Sequence, residues 1–167
     1  MSFNQNLAMT TYSKETLVAH LQQILPAILA NTPVTLAYLY GSRATDNTLP
    51  DSDTDIALVL CRAVDQPAIP SNERLALEFA VESALENHNV KKPDARVIDN
   101  LPLPFRGQVA TQGIRLFSRN EVARVEFETR TWKEYFDFEP VARRFREEFF
   151  ESVRSEGLFP KKREKDG

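Results

Sequence analysis

The sequence predicts an α/β fold in which a small mixed β-sheet is flanked by helices and followed by a C-terminal helical extension. Short runs rich in β-branched, aliphatic and aromatic residues, VTLAYLY at 34–40, DTDIALVL at 53–60 and DARVI at 94–98, alternate with longer stretches of helical period. From residue 120 onward the period is helical throughout, and nine of the sixteen aromatics crowd into the last 48 positions, which marks that stretch off from the sheet. The boundaries that follow are a main domain over 1–119, a helical extension over 120–160 packing on it or on a partner, and a frayed tail over 161–167.

The composition is ordinary for a globular chain of 167 residues, with 42% hydrophobic and 27% charged positions, enough to bury a core without covalent staples. A single cysteine, Cys61, excludes a disulfide framework and fits a reducing cytoplasm. No apolar run approaches the ~20 residues that cross a bilayer, and the opening MSFNQNLAMTTY lacks the basic-then-apolar order of a signal peptide, so neither membrane spanning nor export is expected. With 21 Lys+Arg against 24 Asp+Glu the net charge is -3, which argues against binding a long nucleic acid but allows a local basic cluster around a nucleotide.

The first helix is expected over 13–30, with Ser13 as N-cap, Leu17, Leu21, Ile24, Leu25 and Ile28 on one face, and Pro26 kinking it or ending it early. The strand at 34–40 closes on Gly41-Ser42, a polar loop fills 44–52, and the second strand begins at Asp53. Ser71 caps a helix to about Asn87, with Leu77, Val81, Ala84 and Leu85 sharing a face. After the strand at 94–98 come a short helix over Phe105–Gln112, Gly113 as its C-terminal stop, and IRLF at 114–117 as an edge strand. The extension is expected to break at Pro140, packing through Val122, Val125, Thr129, Trp132 and Phe136 before the break and Val141, Phe145, Phe149 and Val153 after it.

The sharpest chemical signal is Gly41-Ser42, then ten residues, then Asp53-Thr54-Asp55. Side chains at i and i+2 of a strand point the same way, so Asp53 and Asp55 project together, and two carboxylates that close repel unless a cation lies between them. Their oxygens are the hard ligands Mg²⁺ prefers, while Gly41 permits close backbone approach and Ser42 offers a hydroxyl and N–H groups to phosphate oxygens. Either half alone is an ordinary turn. Together, each preceded or followed by a strand, they point to a phosphate-metal site.

The stretch LAYLYGSRATDNTLPDSDTDIALVL, residues 36–60, resembles the minimal nucleotidyltransferases of the DNA polymerase beta superfamily, whose pattern is strand, Gly-Ser, spacer, Asp-x-Asp, strand. It is most similar to the MNT-type antitoxins that accompany HEPN-type ribonuclease toxins, and departs from many relatives in carrying Thr45-Asp46 where they have Arg-Gly. The resemblance implies the polymerase beta-like fold and transfer of AMP, or another nucleoside monophosphate, from a triphosphate such as ATP to a tyrosine hydroxyl of a cognate HEPN-type toxin, which is thereby neutralised. The implied partners are the nucleoside triphosphate and the toxin, the latter in a hetero-oligomer. It further implies two Mg²⁺ ions ~4 Å apart, held by Asp53, Asp55 and a third aspartate on a neighbouring strand. Asp94 is the match, because it opens DARVI after the long helix, and it would accept the proton of the attacking hydroxyl; Asp99, at the far end of that strand, is the competitor.

Gly41, Ser42 and Arg43 are the candidate phosphate contacts, Arg43 through its bidentate guanidinium, and Arg96 either pairs with Asp94 or reaches a phosphate. Cys61, His20 and His88 read as packing or surface residues, since none has a ligand or basic partner at suitable spacing. Phe127, Tyr135, Phe138 and Phe150 fall off the stripes of the extension, which points to a partner surface or to packing back on the sheet. Two rivals remain open. A small-molecule, aminoglycoside-type transferase would need a second acceptor domain that this length does not provide, and a purely binding antitoxin would have no use for repelling aspartates.

Overall fold

The computed structural model describes residues 13–45, 51–61 and 67–156. Helix α1 (Lys14–Ile28) opens where the Ser13 hydroxyl oxygen accepts the Thr16 N–H at 3.3 Å, and closes two residues after Pro26, which removes the N–H that would bond the Gln22 carbonyl. Strand β1 (Leu36–Leu39) leads into a 3₁₀ turn (Gly41–Ala44), and then come β2 (Thr54–Val59), α2 (Ser71–Asn87), β3 (Pro93–Val97), α3 (Leu103–Gln112), β4 (Ile114–Ser118) and α4 (Glu121–Glu156). The sheet order is β3-β2-β1-β4, with β1 antiparallel to both neighbours and β2 parallel to β3, so the sheet is mixed as expected and β4 lies at an edge.

Alternation along the strands separates two apolar layers. Ala37, Leu39, Ile56 and Leu58 face Leu17, Leu21, Leu25, Val81 and Leu85 of α1 and α2. Leu36, Tyr38, Ala57 and Val59 face Val109 and Ala110 of α3 and Phe127 of α4. Arg119, just past β4, ties the sheet to the end of α1: its guanidinium donates to the carbonyls of Leu29, Ala30 and Val34 at 2.5, 3.2 and 3.1 Å.

Several local expectations are corrected. Ser71 is the first helical residue of α2, and Pro70 occupies the cap without a side-chain bond. Helix α3 starts two residues before Phe105, because Pro104 is at home in a first turn where no N–H is needed. Gly113 stops α3 in an extended conformation, φ -68°, and its requirement is space: a Cβ there would stand 2.4 Å from the Val109 carbonyl oxygen. Pro140 does not break α4, since it removes one N–H from a helix exposed at that point, where water can satisfy the freed carbonyl.

The largest correction concerns which face of α4 packs. Val122, Val125, Thr129, Trp132 and Phe136 are exposed, as are Val141, Phe145 and Phe149, whereas Phe127, Glu128 and Thr131 are buried. A charged residue sits on the packed face because its charge is answered there. The Tyr38 hydroxyl donates to Glu128 Oε1 at 2.8 Å and Arg124 Nη1 holds Glu128 Oε2 at 2.5 Å. Burial, reinforced by Glu128, pushes the Tyr38 hydroxyl far above the ordinary phenol range, so it stays a donor. Trp132 adds a bond from Nε1 to the Ala110 carbonyl at 2.9 Å. Tyr38→Phe is therefore expected to cost about 1–3 kcal/mol in urea unfolding by orphaning a buried carboxylate oxygen; a loss below about 0.5 kcal/mol would show that this bond does not anchor α4.

The tail expected over 161–167 and the middle of the polar loop, 46–50, lie outside the described residues. Among the described residues no helix is long and apolar enough to cross a membrane.

Candidate active site

The turn that ends β1 and the start of β2 meet closely. Gly41 has φ +70°, in the left-handed region that favours glycine, and a Cβ on it would lie 2.2 Å from Asp55 Oδ2. Asp55 belongs to the face of β2 that carries Ala57 and Val59, toward α3, and Asp53, just before the strand, lies near enough to act on its charge. The parallel register of β2 and β3 sets Asp55 against Asp94. The three aspartates thus lie at one end of the sheet beside Gly41-Ser42.

Their charges conflict. Burial raises the Asp55 carboxyl above its ordinary range, the neighbouring Asp94 and Asp53 raise it further, and Arg96 and Arg43 offset only part of this. Asp94 has a counter-ion already: Arg96 donates from Nε to Oδ1 at 3.0 Å and from Nη2 to Oδ2 at 3.2 Å, the pairing considered from the strand alternation, and Asp94 in turn holds that guanidinium firmly protonated. Among the described residues no three His, Cys, Asp or Glu side chains form a ready-made metal cage, for Asp94 is turned to Arg96. In kind the donor set still fits a hard divalent cation, because it is all carboxylate and because a positive charge beside Asp55 would relieve the repulsion it suffers.

Arg43, expected at the triphosphate, is turned inward instead. It is buried, with Nε on the carbonyls of Ser52 and Asp53 at 2.8 and 3.0 Å and a terminal nitrogen on Ser52 at 2.5 Å. Its guanidinium pins the backbone that delivers Asp53. Asp99 lies at the opposite end of β2, accepting the Leu60 N–H at 2.9 and 3.2 Å; burial raises its carboxyl and these backbone bonds hold it down. Five strand residues, about 16 Å, separate Asp55 from Leu60. His20 Nε2 lies 2.9 Å from the His88 carbonyl oxygen, and burial pushes the Cys61 thiol up to about 11, away from thiolate chemistry.

A cleft of about 440 Å³ opens beside the turn, lined by Tyr40, Ser42, Phe105, Gln108 and Gln112. Tyr40 and Phe105 meet edge to face at 5.3 Å, and burial together with Asp55 and Asp94 pushes the Tyr40 hydroxyl up to about 12. An aromatic wall with two amides suits a flat heterocycle next to a phosphate turn. Sequence reasoning missed this cleft, although Tyr40 stands two residues from Tyr38 and so shares its face.

Residues 22–122 match the family model described as Polymerase beta, Nucleotidyltransferase. No curated protein matches the sequence. Among solved structures, the chain is similar to a toxin-antitoxin with AMP-PNP at TM-score 0.58 and 21% identity, covering 77% of this chain and 98% of that one. It is also similar to a tri-AMPylated Shewanella oneidensis HEPN toxin in complex with MNT antitoxin, at TM-score 0.57 and 20% identity over 80% and 98% of the two chains. A toxin-antitoxin MntA-HepT structure gives TM-score 0.55 and 20% identity over 78% and 97%. At such identities the likeness is one of fold.

Proposed function

The chain belongs to the polymerase beta nucleotidyltransferase family, and from that premise we propose that it is an antitoxin enzyme that transfers AMP from ATP, with Mg²⁺, to a tyrosine hydroxyl of a HEPN-type toxin. The observation that supports this reading is Asp55 set against Asp94 across the parallel register and against the Gly41-Ser42 turn, with the charge of Asp53 beside it. Structures of similar fold include a nucleotide analogue in one case and an AMPylated HEPN toxin in another.

In the reaction the tyrosine oxygen forms a bond to the α-phosphorus as the bond to the β-phosphate oxygen breaks and pyrophosphate leaves. The Gly41-Ser42 turn receives the phosphates, and the Tyr40–Phe105 cleft beside it takes the base. Asp53 and Asp55 would hold the cation, and charge developing at the α-phosphate is what a divalent ion bound there would offset. Asp94 takes the proton of the tyrosine hydroxyl, exchanging its hydrogen bonds with Arg96 for one to the acceptor. The exposed Val125, Trp132 and Phe136 of α4, beyond the family-matched residues, supply an apolar surface for the body of the toxin.

The test is to incubate the protein with labelled ATP, Mg²⁺ and the product of the adjacent gene, and to locate the label by mass spectrometry. Label on a toxin tyrosine, lost with EDTA and with Asp53→Ala, is the expected result; neutralisation without label by Asp53→Ala would leave a binding antitoxin, and label only on aminoglycosides a small-molecule enzyme. In the same assay Asp94→Asn is expected to slow transfer by about a hundredfold or more and Asp99→Asn to leave the rate near the parent's while lowering stability. The opposite ranking would move the proton acceptor to Asp99.

A further inference from the structure

We infer that the groove along the free edge of β3, between α2 and the turn at Leu101, receives the acceptor as an extended segment bearing a tyrosine next to an acidic residue. The inference rests on the nucleotidyltransferase reading and adds the side from which the acceptor comes. Across the end of the sheet the order is Gly41-Ser42 after β1, Asp53 and Asp55 on β2, Asp94 on β3, and then the edge groove. Phosphoryl transfer places the attacking and leaving oxygens on opposite sides of phosphorus. With the nucleotide's leaving phosphates at the Gly41-Ser42 turn, the hydroxyl must approach from beyond Asp94, where the groove lies.

The groove encloses about 310 Å³ and is lined by both Asp94 and Arg96 and by one continuous face of α2. On that face Leu75 and Phe79, four residues apart, are exposed at 45% and 63%. Such a pair of uncovered side chains beside a reactive carboxylate suits the ring of a tyrosine and an apolar neighbour. Arg74, one turn before Glu78, has its Nε buried in the protein without a hydrogen-bond partner among the described residues. Arg74 lines the groove, and an incoming carboxylate would meet the terminal nitrogens of its guanidinium, the fork that pairs with a carboxylate in bidentate fashion.

The groove also excludes the commonest alternative mode. The backbone N–H groups of Ala95 and Val97, which an added strand would use, already donate to Glu82 Oε1 at 3.0 Å and Glu78 Oε1 at 2.9 Å. Strand addition is blocked at these positions, so the segment must be held by side chains. That places the burden of recognition on Arg74, Leu75 and Phe79.

Three variants of the full chain, Phe79→Ala, Leu75→Ala and Arg74→Ala, test the inference with two synthetic tyrosine peptides, one with glutamates and one with lysines beside the tyrosine, and with the HEPN-type protein. The parent should favour the glutamate peptide. Phe79→Ala and Leu75→Ala should raise KM for it by about tenfold with kcat within about twofold and with affinity for a fluorescent ATP analogue unchanged, the split expected for lost acceptor binding. Arg74→Ala should abolish the preference between peptides and Arg74→Lys restore part of it. Parent-like KM in both apolar variants, or equal use of the two peptides by the parent, would overturn the groove while transfer to the HEPN-type protein leaves the enzyme reading standing. A parent protein that binds the ATP analogue yet labels neither peptide nor protein would overturn both.

Discussion

Asp55→Ala is expected to remove nucleotide transfer, by about a thousandfold or more, while leaving the protein as stable as the parent or more so. The two effects have one cause. Asp55 is half-buried against Gly41 with Asp94 and Asp53 beside it, so burial first and like charges second raise its carboxyl above the ordinary value of 3.8. A group with a raised folded pKa binds its proton more readily in the folded than in the unfolded chain. Its contribution therefore favours folding at low pH and is lost as pH rises from about 3.8 through the raised folded value. Asp55→Asn should flatten that part of the stability–pH curve and raise the unfolding temperature at neutral pH. Calorimetry across that window alongside the transfer assay checks both halves; parent-like activity, or a clear drop in neutral-pH stability, would mean that Asp55 is a structural carboxylate.

Gly41→Ala is expected to lose transfer to a similar degree but with the opposite effect on stability. At φ +70° a non-glycine residue costs about 1–2 kcal/mol, and the new Cβ, 2.2 Å from Asp55 Oδ2, must push that carboxylate out of position. The double variant Gly41→Ala, Asp55→Ala separates the two terms. Without the carboxylate the clash is gone, so part of the lost stability should return while activity does not. If the double variant is destabilised by the plain sum of the singles, the contact between Gly41 and Asp55 is not the reason glycine stands there.

What could be read from the sequence was whatever depends on near neighbours along the chain. The period of α1 and the β1–turn–β2 unit follow from spacing over a few residues. The opposition of Asp55 and Asp94 is a matter of strand register across 39 positions, and only the family-like order of elements pointed to it. The direction of Arg43 is not legible locally, because a long side chain beside a glycine turn can point either way and the carbonyls of Ser52 and Asp53 that hold it come from the far side of the loop. The packed face of α4 was misjudged because counting apolar residues discards Glu128, and nothing local reveals that Tyr38, 90 positions earlier, supplies its partner. The edge groove was invisible for the same reason, as it forms where α2 and β3 come together.

The position of β1 also sets the tempo at which the protein can form. This strand is central, yet one of its two neighbours is β4, whose Ser118 pairs with Leu36, and Arg119 then clasps the end of α1 from 90 residues away. Synthesis at about 5–20 residues per second leaves roughly 4–16 s between emergence of the two strands. Throughout that interval one edge of the apolar LAYL strand has no partner, and pairing over such sequence distances is intrinsically slow. The newborn chain therefore passes through a stage with an adhesive edge, during which chaperone protection or a low rate of production governs how much of it survives to close the sheet.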